Sequence, residues 1–94
     1  MKVRVGISKR RAKKLAAGAI AHSEDLGMWH VFLYMVIDGK VGLFAEQGFD
    51  TQEEAANDVC DTLKIKPESL VEMDEQAVDD YILKNTRNQW SVKS

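Results

Sequence analysis

The sequence lacks most of the features that identify a biochemical activity. It has no catalytic motif, no metal-ligand pattern and no cofactor fingerprint. It has a single cysteine, Cys60, so an internal disulfide is excluded and a reducing compartment such as the cytoplasm is expected. Its longest apolar run, Val31 to Ile37, is far shorter than the ~20 residues that a membrane-spanning helix needs. We therefore expect a cytoplasmic, non-enzymatic protein that needs neither a metal nor a cofactor.

The chain has 94 residues, of which 45% are hydrophobic and 30% charged. This length leaves room for one hydrophobic core only, so residues 1–94 are predicted to form a single domain. Its N-terminal segment, residues 1–14, is basic. Its C-terminal tail, residues 86–94, is mostly polar and is predicted to be loosely held.

Charge is distributed very unevenly along the chain. The first fourteen residues contain no carboxylate and seven of the 13 basic residues. These are Lys2, Arg4, Lys9, Arg10, Arg11, Lys13 and Lys14. All 15 acidic residues follow, so the formal net charge of −2 combines a basic start with an acidic remainder. A division of this kind carries information about binding partners rather than about the fold.

The pattern of apolar residues predicts a compact α+β domain in the order β-α-β-β-α-(β)-α. Residues 2–7 alternate between charged and apolar, which indicates a strand. Ser8 can cap a helix from Lys9 to about His22, with Ala12, Leu15, Ala16, Ala19 and Ile20 as its apolar stripe. An antiparallel sheet built on a hairpin (29–37/40–47) is expected to pack against two or three helices.

The hairpin is the strongest local signal in the sequence. Asp38-Gly39 separates two β-rich runs and suits a type I′ turn, because glycine readily takes a positive φ. A two-residue turn pairs Val36 with Val41, Tyr34 with Leu43, Phe32 with Ala45 and His30 with Gln47. Both faces of the hairpin would then be apolar, so either helices cover both faces or the face with His30, Phe32 and Tyr34 is open to a partner.

Two further helices are predicted after the hairpin. A capping box, Asp50 with Glu53 or Thr51 with Glu54, begins the second helix. A short edge strand is predicted over 70–73. Asp74 is then expected to cap a third helix that ends near Asn85.

One stretch resembles a known structural unit. Trp29, Asp38-Gly39-Lys40 and the segment Gly48-Phe49-Asp50-Thr51-Gln52-Glu53-Glu54-Ala55-Ala56 are similar to the strand–strand–helix unit of AP2-type domains and of the arm-binding domains of phage-type integrases. The resemblance spans residues 29–64, about a third of the chain. It implies a sheet that lies in the DNA major groove and a helix that packs behind it. The two strands carry one basic residue, Lys40.

Two sets of residues are candidates for binding. A dense carboxylate surface can dock on a basic partner by charge complementarity, and aromatic residues can anchor it. The residues that we expect to bind such a partner are Glu53, Glu54, Asp58, Asp61, Asp79, Asp80, Phe32 and Tyr34. Alternatively, a basic N-terminal helix can bind the phosphates of a nucleic acid. That alternative uses Lys9, Arg10, Arg11, Lys13 and Lys14.

The predicted function is therefore that of a macromolecule-binding protein. Our leading hypothesis is a small acidic inhibitor or adaptor that docks on a nucleic-acid-handling protein. In kind it resembles the small phage-encoded anti-defence inhibitors, including those of the anti-CRISPR type. The alternatives are a nucleic-acid-binding module and a homodimer in which the basic segment of one subunit meets the acidic face of the other.

Overall fold

The computed structural model describes residues 1–10 and 14–90. Within these residues the chain forms a mixed sheet with two α-helices. The strands are β1 (Lys2–Ile7), β2 (Ala17–Ser23), β3 (Met28–Ile37), β4 (Lys40–Phe49), β5 (Val71–Asp74) and β6 (Gln89–Trp90). The helices are α1 (Gln52–Leu63) and α2 (Val78–Asn85), and short 3₁₀ turns cover Pro67–Ser69 and Glu75–Ala77. The predicted α+β class with an antiparallel sheet is confirmed.

The sheet has the strand order β4-β3-β2-β1-β5, with antiparallel pairing throughout. The two-residue strand β6 pairs in parallel with the end of β3, at Val36 and Ile37. Strand β2 pairs with β3 only as far as Tyr34. Strand β6 therefore pairs with the part of β3 that follows Tyr34, where the pairing of β3 with β2 has ended.

The two helices cover opposite faces of this sheet. Helix α1 contributes Val59 and Leu63 to a core with Ile20 and Val31. Helix α2 contributes Val78 and Ile82 to a second core, whose sheet residues include Val3, Val5, Ala17, Ala19 and Val36. Because side chains alternate along a strand, β2 and β3 supply residues to both cores. The protein thus has three layers, with the sheet in the middle.

The predicted hairpin is confirmed, and its pairing is correct near the turn. Asp38 and Gly39 both have positive φ (52° and 76°), as a type I′ turn requires. Val36 pairs with Val41 and Tyr34 with Leu43, but Leu33 then pairs with Ala45. Phe44 is therefore an extra residue, a β-bulge. Beyond it the predicted pairs are wrong by one residue, and Phe32 lies opposite Glu46 instead of Ala45.

Replacing Gly39 by alanine tests this turn. A methyl group at Gly39 would meet no atom within 4 Å, so the cost comes from the positive φ alone. We expect Gly39→Ala to lower the free energy of unfolding by ~1 kcal/mol, measured by urea denaturation. Gly42→Ala, in the same hairpin, is the control, because Gly42 has no positive φ and its nearest neighbour is Met35 Cγ at 4.0 Å. Equal losses in the two variants would contradict the type I′ turn.

The helix predicted from Lys9 to His22 is wrong. Residues 17–23 form β2, a central strand between β1 and β3. Ala17, Ala19 and Ile20 are fully buried because helices pack on both faces of this strand, so the run shows no alternation of polar and apolar residues. Of the stripe proposed for the helix, Ala12 lies outside the described residues. The start of the chain is therefore β-β, and the order of the elements differs from the predicted one at this point.

The other two helices begin close to where they were predicted. Thr51 caps α1, since its Oγ1 accepts a hydrogen bond from the Glu54 backbone N–H (3.2 Å) and donates one to Glu54 Oε1 (3.0 Å). The predicted cap at Asp74 is wrong in detail. Asp74 precedes a 3₁₀ turn, its side chain makes no capping bond, and α2 itself begins at Val78.

Both helices run in the same direction relative to the sheet. Each begins near the β2–β3 turn (24–27) and ends near the loop that joins β1 to β2 (8–16). At the first end, the Glu75 N–H donates to the Met1 carbonyl (3.1 Å). At the second, the Lys9 N–H donates to the Leu63 carbonyl (2.9 Å), and Asn88 Nδ2 donates to the Leu15 carbonyl (2.7 Å). Residues 86–90 of the predicted loose tail are thus attached to the body, and residues 91–94 lie outside the described residues.

Neither of the helices described is long and apolar enough to cross a membrane.

Candidate functional site

A groove crosses the sheet face that carries α2, at the end where that helix begins. It consists of two hollows of about 690 and 430 Å³ that share Met1, Ala21 and Phe32. Phe32 lies in the middle, and Tyr34 and the start of α2 line one end. His30, Glu46 and the β2–β3 turn line the other. We call this feature the aromatic groove.

The groove exists because β2 presents small side chains on this face. Ala19 lies beside Phe32, and Ala21 lies beside His30, in the pairing of β2 with β3. Helix α2 covers the sheet as far as Val3 and Ala19, and Ala21 beyond it is only partly buried. A row of alanines between larger side chains leaves a trench that no other described element fills.

The aromatic residues of β3 form a row along this trench. The rings of His30 and Phe32 lie with their centroids 6.1 Å apart and their planes inclined by 23°. Phe32 and Tyr34 are both partly buried, so part of each ring is accessible. The structure thus confirms that the two residues share one face of the hairpin, and α2 covers only part of that face.

The β-bulge at Phe44 places a carboxylate beside this row. A continuous pairing would have put Ala45 opposite Phe32 and Glu46 on the other face of the sheet. With the bulge, Glu46 lies opposite Phe32 on the groove face. Its Oε2 is 3.3 Å from His30 Nδ1. The bulge is therefore the feature that joins the acidic and aromatic parts of the groove.

The groove also surrounds Tyr34 with negative charge. Burial raises the pKa of the Tyr34 phenol above its ordinary value, and the carboxylates of Asp79, Glu46 and Glu75 raise this pKa further. The phenol therefore stays neutral at physiological pH and can donate a hydrogen bond.

Acidic residues outnumber basic ones around the groove. The carboxylates that line it are Glu24, Asp25, Glu46, Glu75 and Asp79. Among the described residues, the basic side chain that lines it is Lys2, whose Nζ is 3.3 Å from Asp74 Oδ1. The groove therefore has an excess of negative charge, which favours a cationic ligand and disfavours phosphate.

The structure divides the predicted partner-binding residues between the two sides of the molecule. Phe32, Tyr34 and Asp79 meet in the aromatic groove, and Asp80 follows on the exposed surface of α2. The other four belong to α1, which packs on the opposite face of the sheet; they are Glu53, Glu54, Asp58 and Asp61. Glu54 also has a structural role there, as the partner of the Thr51 cap.

Of the five groove carboxylates, only Asp79 was in the predicted set, and Glu24, Asp25, Glu46 and Glu75 were absent from it. Glu46 was missed because its side depends on the bulge, which the sequence signals only weakly through glycines within β4. Glu75 was missed because it precedes α2 in a 3₁₀ turn instead of standing on the exposed face of a helix.

Lys9 and Arg10 lie at the opposite end of the molecule from the groove, whereas Lys2, at the start of β1, lines the groove. Arg10 Nη1 donates to the Thr62 carbonyl (3.2 Å), and the Lys9 N–H donates to the Leu63 carbonyl. These are carbonyls of the last turn of α1, where the helix dipole is negative and favours cations. The Arg10 guanidinium thus interacts with a helix C-terminus, whereas the prediction placed the basic run at a helix N-terminus. Arg11 and Lys13 lie outside the described residues.

A third hollow lies at the end of the molecule that carries Lys9 and Arg10. Its volume is about 530 Å³, and Lys9, Arg10 and Arg87 line it together with Ser8, Asn85, Asn88 and Ile7. None of the described residues that line it is a carboxylate. Arg87 was not among the predicted nucleic-acid-binding residues, since it follows them by more than seventy positions in the sequence. Lys14 is exposed in the same loop.

The remaining reactive side chains do not form a site in the part of the chain that is described. Cys60 is buried in the core under α1, and this burial raises the pKa of its thiol. A neutral, buried thiol is a poor nucleophile. Across residues 1–10 and 14–90, no group of three or more His, Cys, Asp or Glu side chains is arranged to hold a metal ion.

Comparison with protein-family models, with curated proteins and with solved structures finds no match for this chain.

Proposed function

We propose that the protein is a non-enzymatic inhibitor or adaptor that docks on a basic, nucleic-acid-handling protein through the aromatic groove. The observation that carries this proposal is the meeting of Phe32 and Tyr34 with Glu46, Glu75 and Asp79 in one open groove. Aromatic anchors in a pocket supply much of the energy of typical interfaces, and surrounding charges select the partner.

The charge of the groove indicates the class of partner. A protein that handles nucleic acids carries a positively charged surface for the phosphate backbone. Five carboxylates that flank aromatic rings are complementary to such a surface. A protein docked there would cover the nucleic-acid-binding site and exclude the nucleic acid. This mode of action is that of an anti-defence inhibitor of the anti-CRISPR kind, and we propose such a phage-type role for this chain.

Charge-matched variants test the groove against the acidic face of α1. The first variant is Glu46→Gln/Glu75→Gln/Asp79→Asn, and the second is Glu53→Gln/Asp58→Asn/Asp61→Asn. Both remove three negative charges, so any loss of long-range attraction is the same. We expect the groove variant to bind the purified partner at least ~10-fold more weakly, since a lost interfacial charge pair costs ~1.5 kcal/mol or more. The affinity of the α1 variant for the partner should stay within about twofold of the wild-type affinity.

The partner for this measurement is a protein captured by the wild type, and it is identified and purified before either variant is tested. Its affinity for labelled nucleic acid should fall when the wild type is added and recover with the groove variant. Equal affinity of both variants for the partner would contradict docking in the groove. A partner that keeps its nucleic-acid affinity in the presence of the wild type would contradict the inhibitor role.

A second candidate function is nucleic-acid binding by the basic end. The observation that favours it is the hollow where Lys9, Arg10 and Arg87 meet without a carboxylate among its described lining residues. Lys14, which is exposed nearby in the sequence, would extend the positive surface. The resemblance to DNA-reading strand–strand–helix units also belongs to this candidate, although the sheet face opposite α1 carries α2 and the acidic groove.

Fluorescence anisotropy with labelled single- and double-stranded DNA and RNA tests this second function. It predicts tight binding that weakens as salt is added. For each phosphate neutralised, the logarithm of the association constant should fall by ~0.7–0.9 for every tenfold rise in salt concentration. Binding should be lost in Lys9→Ala/Lys14→Ala/Arg87→Ala and kept in Lys40→Ala/Lys64→Ala/Lys66→Ala, which removes the same charge elsewhere. Absence of binding at low salt would exclude this function. Size-exclusion chromatography at low and high salt would show a homodimer held by the basic segment and an acidic face.

A further inference from the structure

We infer that the aromatic groove seats an arginine side chain of the partner, between Phe32 and Glu46. This inference rests on the proposed function, because it specifies which group of the basic partner enters the groove. It is supported by the ring geometry, by the position of the carboxylates and by the small residues beside Phe32.

The face of Phe32 can accept a planar cation. Its neighbour on β2 is Ala19, and Ala21 lies one pair further along, so no large side chain of β2 covers the ring. The alanines leave the hollows that flank Phe32 on both sides. A guanidinium group stacks on an aromatic face and is more weakly hydrated than an ammonium group, so it loses less on entering a partly enclosed groove.

Carboxylates line the groove on both sides of Phe32. Glu46 is the cross-strand neighbour of Phe32, and its Oε2 is held near His30 Nδ1 at 3.3 Å. Asp79 and Glu75 lie on the other side of Phe32, close enough to raise the pKa of Tyr34. An arginine fork can bond to a carboxylate with two parallel hydrogen bonds while its plane rests on the ring. A lysine has one point charge and cannot do both equally well.

Binding of a short peptide tests the proposed arginine site without the partner protein. The probe is a fluorescein-labelled peptide with three Arg-Gly pairs, and its analogues carry lysine or citrulline in place of arginine. We expect the anisotropy to show that the arginine peptide binds at least about threefold more tightly than the lysine peptide. The citrulline peptide, which keeps the shape and loses the charge, should not bind. Equal binding of the arginine and lysine peptides would overturn the inference.

Variants locate the peptide on the molecule. Phe32→Leu should weaken binding of the arginine peptide about fivefold, because it removes the ring and keeps an apolar side chain. Phe44→Leu is the matched control, since Phe44 is an exposed aromatic residue of the neighbouring strand at the bulge. The inference would be contradicted if Phe32→Leu and Phe44→Leu weakened binding of the peptide equally. It would also be contradicted if the α1 triple variant and the groove triple variant weakened binding equally, because the peptide would then bind acidic surface in general.

The failure of this inference is distinguishable from that of the proposed function. If the peptide does not bind but the groove triple variant still loses the partner, the groove docks a protein and does not seat arginine. If the peptide binds in the groove but the groove triple variant still binds the partner normally, the groove binds arginine and the partner docks elsewhere.

Discussion

Replacement of Gly18 by alanine is expected to lower the free energy of unfolding by ~2–3 kcal/mol, a large fraction of the ~5–15 kcal/mol that stabilises a typical domain. Gly18 lies in β2 directly under α1. A Cβ atom there would be 2.6 Å from Val59 Cγ2, 3.1 Å from Leu63 Cδ1 and 3.2 Å from Leu33 Cδ2. These atoms belong to a close-packed core, so the added methyl group would push the helix away from the sheet.

A double-mutant cycle with Val59→Ala tests this explanation. Val59→Ala alone should cost ~2 kcal/mol, because it removes buried methyl groups. In the double variant the methyl group at position 18 occupies the space that Val59 leaves, so the combined loss should be at least ~1 kcal/mol smaller than the sum. Gly48→Ala is the control, since its methyl group would meet only the flexible end of Met28, at Cε (2.8 Å). Additive losses at Gly18 and Val59 would contradict the close contact between α1 and β2.

Replacement of Ile82 by alanine is expected to cost ~3 kcal/mol. Ile82 is fully buried between α2 and the sheet, in one core with Val5 and Val36. Helix α2 has only eight residues, too few to be stable without tertiary contacts, so this burial is what keeps it on the sheet. Because α2 and the turn before it form one wall of the aromatic groove, the variant should also bind the partner more weakly.

Leu83→Ala is the matched control for this second prediction. Leu83 is the next residue of α2 and is only partly buried against the same core, so its loss should be about 1 kcal/mol. Urea denaturation of the three proteins gives the comparison. Equal losses, or a loss below about 1 kcal/mol for Ile82→Ala, would contradict the docking of α2 on the sheet.

The parts of the fold that were predictable depend on local signals. The hairpin follows from Asp38-Gly39 between two β-rich runs, and its pairing is correct until the bulge. Helix α1 follows from the Thr51–Glu54 cap and an apolar stripe with a period of 3.6 residues. In each case neighbouring residues alone specify the conformation.

The first helix was wrong because the identity of β2 depends on contacts distant in sequence. Leu15 to Ala21 is a short run of small apolar residues, which suits a helix or a strand buried on both faces equally well. The run forms a strand because β1 and β3 pair with it and α1 and α2 pack on its two faces, and these elements come from distant parts of the sequence. Gly18, which weakens a helix, here lies under α1, where a Cβ atom would be 2.6 Å from Val59 Cγ2.

The residues of the candidate site could be predicted in part, and their binding role stays a prediction. The sequence indicated an acidic and aromatic binding surface, and Phe32, Tyr34 and Asp79 do meet. It could not show that α1 and α2 lie on opposite faces of the sheet, which separates Glu53 and Asp58 from the groove. Nor could it show the one-residue bulge that brings Glu46 to Phe32.

Photo-crosslinking in the complex with the purified partner tests the central claim most directly. The photoreactive residue benzoylphenylalanine replaces Phe32 in one variant and Asp58 on α1 in a second, and each variant is irradiated with the partner. The account predicts a crosslink from position 32 to the partner's nucleic-acid-binding surface and none from position 58. A crosslink from position 58 alone would contradict it, because the partner would then dock on α1 and leave the aromatic groove unoccupied.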